Sequence, residues 1–96
     1  MKAYKEKQVK NNVVEREFSA SNSQEFVWHR DKEDRKLVVI QADKGWKFQE
    51  DNCLPIDLFE GKVIFIPKEV FHRVVAGSGK LKVKIFLHAK IEKESR

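Results

Sequence analysis

The chain has 96 residues, 41% of them hydrophobic, with 20 Lys and Arg against 15 Asp and Glu and a formal net charge of +5. That length holds one domain with one core and excludes a second. No apolar run reaches the length of a membrane-spanning helix, and residues 1–12, MKAYKEKQVKNN, lack the apolar stretch of a secretory signal, so neither membrane insertion nor export is expected. Cys53 is the only cysteine, which excludes an internal disulfide and fits a reducing cytoplasm. It follows Asp51-Asn52, a turn signal, and reads as a strand-edge residue rather than a nucleophile. The basic excess forms no dense stripe with interleaved aromatics, so nucleic acid is a disfavoured partner.

Residues 1–12 read as a polar leader with a frayed end, 13–91 as the folded unit and 92–96 as a charged tail. Val13, Val14 and Phe18 predict a first strand. Residues 25–29, EFVWH, predict a short aromatic one, after which six consecutive charges, RDKEDR at 30–35, break the pattern. Residues 37–42, LVVIQA, are nearly continuously apolar, as in a strand covered on both faces. Trp46 and Phe48 alternate with Lys47 and Gln49. Beyond the Asp51-Asn52 turn, Leu54, Ile56 and Leu58 alternate with Pro55 and Asp57, Pro55 arguing for an edge or an irregular start. Strands at 63–66, 73–76 and 81–89 follow, the last two joined by a hairpin loop, Gly77-Ser78-Gly79. Lys80, Lys82 and Lys84 alternate with Leu81, Val83 and Ile85, one solvated and one buried face. Short strands punctuated by turns predict an all-β sandwich or barrel.

Residues 61–76, GKVIFIPKEVFHRVVA, carry the most informative pattern. A glycine turn feeds an apolar strand, a proline closes it, and a histidine opens the next. The block resembles the second signature of the cupin family, G-x5-P-x-G-x2-H-x3-N. Gly61, Pro67 and His72 fall on it, while Glu69 stands for the second glycine and Ala76 for the asparagine. In the register of the first signature, G-x5-H-x-H-x3,4-E-x6-G, Ser23 stands for the opening glycine, His29 and Asp31 for the histidine pair, Arg35 for the glutamate and Ala42 for the closing glycine. The resemblance covers roughly residues 23–88. It implies a double-stranded β-helix, a jelly-roll cupin barrel, with the histidine of the second signature facing a cavity. It also implies a homodimer formed by pairing or exchange of N-terminal strands.

Two imidazoles and a carboxylate converging on one point suit a facial metal site with open positions. The resemblance makes His29, Asp31 and His72 such a set, for iron, manganese, zinc or nickel. His29 and Asp31 are two apart and share a strand face. Against a metal stands Arg35, a permanent cation in the place of an anionic ligand, unless it pairs with Asp31 or Glu33. The charged run also reads as an exposed hairpin end, and His72 as a half-buried ring bonded to a backbone carbonyl. His88 reads as a surface or interface residue. Trp28, Trp46 and Phe48 are either core or the aromatic lining of a barrel cavity wide enough for one small ligand. With His72 and Arg35 as polar handles, that cavity suits a small organic acid.

Three function classes remain. The favoured one is a non-enzymatic or vestigial-site barrel that binds a small, acidic organic ligand or a protein partner. The alternative is a metal-dependent enzyme of dioxygenase, isomerase or decarboxylase type using His29, Asp31 and His72. The third is a surface protein that contacts an anionic partner. Phe86, on the strand face of Lys82 and Lys84, adds support for a homodimer. No serine sits in a nucleophile context, and AGSGK lacks the strand–loop–helix setting of a phosphate loop.

Overall fold

The structure is a computed structural model, and it describes residues 4–20 and 27–88. Its strands are β1 (Tyr4–Lys10), β2 (Val13–Ser19), β3 (Arg35–Ala42), β4 (Lys47–Glu50), β5 (Ile56–Asp57), β6 (Val63–Ile66), β7 (His72–Val75) and β8 (Lys80–Leu87). They pair antiparallel into a five-stranded sheet, ordered β1-β2-β8-β3-β6, and a three-stranded sheet, ordered β5-β4-β7. The architecture is all-β, as the alternating pattern implies, and a jelly roll, as the cupin resemblance implies. No helix among the described residues is long and apolar enough to cross a membrane.

Period-2 alternation explains the core. Along β8, Leu81, Val83 and Ile85 are buried, and across from them lie Phe18 and Val14 of β2 and Val39 and Leu37 of β3. These inner faces close on Trp46, Phe48 and Leu58 from the smaller sheet's side. Trp46, at 1% exposure, is the largest buried side chain; its ring lies 6.4 Å from that of Phe18, and its indole nitrogen donates to the Ser78 carbonyl at 2.8 Å. An apolar body with its single donor satisfied is how a tryptophan is buried without a polar penalty.

Four expectations change. Residues 4–10, expected within a frayed leader, form the edge strand β1, held in register by Tyr4 opposite Phe18 and Glu6 opposite Arg16. An edge strand exposes most of its side chains, which is why it reads as a polar leader in sequence. The β1–β2 turn places Asn12 at φ 60°, a left-handed conformation that asparagine tolerates. Second, residues 77–79 are not a hairpin loop, because β7 and β8 lie in different sheets. The loop crosses between the sheets and docks on the β3–β4 turn: Ser78 N donates to Lys44 O and Lys80 N to Asp43 Oδ2, both at 2.8 Å. Gly77 approaches so closely that a Cβ there would overlap the Lys44 carbonyl oxygen and the Trp46 nitrogen.

Third, β3 is buried on its inner face alone; Val38 and Ile40 are half-buried on the outer face, near exposed Phe65 and Val63 of β6. Phe86, on that same outer side, is covered by the Lys36 ammonium 4.6 Å from its ring. Fourth, the strand expected over 54–58 shrinks to the two residues of β5, with Leu54 85% exposed. Of the strand expected over 25–29, residues 25 and 26 lie outside the described residues, as do Ser23, Ala89 and the charged tail 92–96. The remainder contributes one β-bridge, His29 to His72.

Candidate functional site

That bridge builds the site. His29 N donates to His72 O at 3.0 Å and His72 N to His29 O at 2.9 Å, so the two residues are direct cross-strand neighbours. Such a pair points both side chains to one face, and the rings meet edge to face with centroids 4.3 Å apart. Asp31, two residues after His29, returns to the same face. Its loop is stitched to the segment before β7 by Glu69 N donating to Asp31 O at 2.7 Å and Lys68 N to Asp34 Oδ1 at 2.8 Å. One ligand atom from each of His29, Asp31 and His72 lies within 4.8 Å of the others.

The hydrogen bonds fix the tautomers. Nδ1 of His72 lies 2.9 Å from the Val70 carbonyl, and Nδ1 of His29 lies 3.2 Å from the Val27 carbonyl. A carbonyl only accepts, so each Nδ1 carries the proton and each neutral ring keeps its lone pair on Nε2. Nε2 of His72 faces Asp31 Oδ2 at 3.4 Å, and that buried oxygen has no hydrogen-bond partner. With His72 neutral this contact brings two acceptors together inside the protein; with His72 protonated it is an ion pair. A charge-assisted N–H···O bond closes to about 2.7–2.9 Å, shorter than this gap. Two ligands each about 2.0–2.2 Å from one ion stand about 3.0–3.4 Å apart. The Asp31–His72 separation therefore suits two ligands of one divalent cation, and all three ligand atoms lie within 4.8 Å of one another.

Burial alone would raise the Asp31 pKa, but contact with His72 and the charge of Arg35 outweigh it and hold the carboxyl below its ordinary range. His29 is shifted down, chiefly because partial burial penalises the imidazolium, and the Val27 carbonyl offsets only part of that. Both shifts favour the forms that bind metal, carboxylate and neutral imidazole.

Arg35, in the place where the resemblance puts a glutamate, pairs with both of its candidate partners. It contacts Asp31 Oδ1 at 3.5 Å and Glu33 Oε2 at 2.7 Å. The Asp31 carboxylate is therefore shared: Oδ1 meets the guanidinium and Oδ2 turns to the imidazole. Phe48, buried on the inner face of β4, stacks on His72 at 5.6 Å and lines the cavity. The two tryptophans do not. Trp46 is sealed in the core, and Trp28 alternates to the opposite face from His29, 40% exposed beneath the Arg73 guanidinium. Alternation by one residue accounts for Trp28, while Trp46, two residues from Phe48, packs against Phe18 in the core. The cavity measures about 440 Å³ and includes Tyr4 and Arg16, which the sequence reading passed over. The signal for Arg16 was present, since it sits at period 2 between Val14 and Phe18, two apolar residues of one face.

No family model matches the chain, and no curated protein matches it. Solved structures do. A cupin domain from Bordetella pertussis covers 93% of this chain and 99% of its own, at 21% identity and a TM-score of 0.63. A cupin-2 domain protein from Shewanella frigidimarina covers 88% of this chain and 80% of its own, at 22% identity and a TM-score of 0.62. HppE in its iron(II) form is similar over 78% of this chain and 41% of that longer one, at 14% identity and a TM-score of 0.64. At such identities the likeness is one of fold. Eight antiparallel strands in two sheets, superposing on these structures, give this chain the fold of a small single-domain cupin.

Proposed function

We propose that the chain is a metal-dependent cupin, in which His29, Asp31 and His72 hold a divalent transition metal at one end of a pocket for a small molecule. The observation that carries this reading is the approach of His72 Nε2 to the buried, unpartnered Asp31 Oδ2, with both histidine Nδ1 atoms tied to backbone carbonyls. Metal-ligating histidines orient themselves in this way. When bound, the ion supplies Lewis-acid polarisation and, for iron, open positions for oxygen and substrate. The chain's own residues supply the rest. Arg35 holds one oxygen of Asp31 and, with the larger contribution of His72, lowers that carboxyl's pKa, Phe48 stacks on His72, and Leu37, Ile66 and Ile85 give the pocket an apolar wall. A reaction of dioxygenase, isomerase or decarboxylase type belongs to this reading. Pairing through β1, an edge strand, would complete a homodimer in the cytoplasm.

The test is metal content by mass spectrometry after loading with iron, manganese, zinc and nickel salts and dialysis, on the wild type and His72→Ala. Near one ion per chain, lost in the variant, is the expected result; no retained metal in the wild type overturns the reading. A second reading is a barrel that binds an organic acid without metal. It is favoured by Arg35 standing where a further anionic ligand would sit, and a metal-free wild type would leave it in possession.

A further inference from the structure

The pocket wall carries more positive charge than the metal-binding cluster can use. Among the described residues that line it, Asp31 is the one carboxylate, against the two guanidiniums of Arg16 and Arg35. Arg35 is committed, held from two sides by Asp31 and Glu33. Arg16 is placed differently. It lies on the inner face of β2, two residues from buried Val14 and buried Phe18, across from Val83, and its side chain is 16% exposed.

A permanent cation in an apolar row is costly unless something compensates it. Part of the compensation is Glu6 on the edge strand, which accepts from Arg16 Nε at 2.7 Å. The ring of Tyr4 adds a cation–π contact, with the guanidinium carbon 4.2 Å from its centroid. These two contacts fix one edge and one face of a planar fork, and a fork so held is oriented before any ligand arrives. Glu6 is not part of the cavity lining, so the positive charge is presented to the cavity without a carboxylate on the same wall. The other lining residues are mostly apolar, Phe18, Leu37, Phe48, Ile66 and Ile85 among them.

We propose that Arg16 is an anion-binding residue of the pocket and that the ligand is a small organic acid, one carboxylate or phosphoryl group on a largely apolar body. Its anion pairs with Arg16, and its other end lies at His29, Asp31 and His72; in that last respect the inference rests on the pocket reading above. Arg35 is not the handle for the acid, because its fork is already taken by two carboxylates of the chain itself.

The experiment is an NMR titration of the protein with small acids from acetate to phenylacetate, their phosphonate counterparts and the matching neutral amides. It is run on wild type, Arg16→Gln and Arg16→Lys, metal-free and metal-loaded, with metal content measured on each sample. Acids are expected to bind the wild type and to lose at least about tenfold in affinity in Arg16→Gln, with a smaller loss in Arg16→Lys, which keeps the charge without the fork. The amides should bind no better to wild type than to either variant, and the carboxylate and phosphonate arms show which head group fits. Equal binding of acids to wild type and Arg16→Gln overturns the proposal, and so does the failure of every acid to bind the wild type at millimolar concentration. Should Arg16→Gln fail to fold, Arg16→Lys with the amide control decides alone. Stoichiometric metal without Arg16-dependent acid binding sinks this inference and leaves the metal site standing. Arg16-dependent acid binding to a protein that holds no metal does the reverse.

Discussion

The two ends of the barrel are built on opposite terms. At the Trp46 end, the 77–79 loop and the β3–β4 turn are stitched by Ser78 N to Lys44 O, Lys80 N to Asp43 Oδ2 and the Trp46 indole to Ser78 O. Its polar groups are matched, and Gly77 lets two backbones touch. At the His72 end, a buried carboxylate oxygen lacks a hydrogen-bond partner, an imidazole nitrogen stands 3.4 Å from it, and Glu69 sits at φ 64°. The first end holds the fold together. The second keeps polar groups unsatisfied inside a domain that could have packed them away, and such local exceptions to consistent design concentrate at functional sites.

Breaking the satisfied end should cost the most. Trp46→Ala removes the largest buried side chain and should destabilise the domain by about 3–5 kcal/mol. Chemical denaturation would measure this, and the metal bound per folded chain should stay unchanged. Gly77→Ala adds one methyl against backbone that cannot yield and should cost about 1–3 kcal/mol. A value near zero would mean that the loop is not docked.

Asp31→Asn sharpens the comparison from the other side. The amide can donate to His72 Nε2, which repairs the orphaned contact but gives up the pairing with Arg35, so metal-free stability should move by no more than about 1 kcal/mol. Metal binding should disappear, and with it the rise in melting temperature that saturating metal gives the wild type.

Acid should erode this end first. His29 is lowered from its ordinary 6.5, so the unfolded chain binds that proton more readily; its stabilisation is present above 6.5 and is lost as pH falls towards the folded value. Asp31 is lowered from 3.8 and has the same sign in a lower window, its stabilisation lost as pH falls below that value. Melting temperatures against pH should show His29→Gln flattening the upper window and Asp31→Asn the lower. A wild-type profile unchanged by either substitution would remove the electrostatic account.

Glu69→Gly is the smallest effect and has the opposite sign. It relieves a left-handed backbone that costs a residue with a Cβ about 1–2 kcal/mol. What it gives up is the exposed contact with Arg30, a pair of the kind worth about 1 kcal/mol or less. A modest gain in stability is expected. The cupin-like signature has a glycine at this position, and φ 64° is the physical reason.

Much of the fold was legible in the residues because period-2 burial is a local property. β6 falls on residues 63–66 as read, and the alternation of Leu81, Val83 and Ile85 with three lysines survives intact in β8. β1 was not legible, since an edge strand has no apolar face long enough to announce itself. Nor was the crossing at 77–79, where a glycine pair that suits a hairpin serves a passage between sheets. At the site, His29, Asp31 and His72 could be named from the cupin resemblance, and Arg16 could have been from its period-2 place between Val14 and Phe18. That Trp28 turns away from the cavity could not, because one residue of register reverses every side chain.

By itself, then, the sequence determined most of the inner strands, the single core and the residue types available to a pocket, since hydrophobic alternation and turn chemistry act over a few residues. Only the tertiary structure decided that His29 and His72 are cross-strand partners, that Arg35 is consumed by Asp31 and Glu33, and that Arg16 lines the cavity. Those facts depend on which strands meet and in what register, and register is set by the packing of the whole barrel rather than by any one segment.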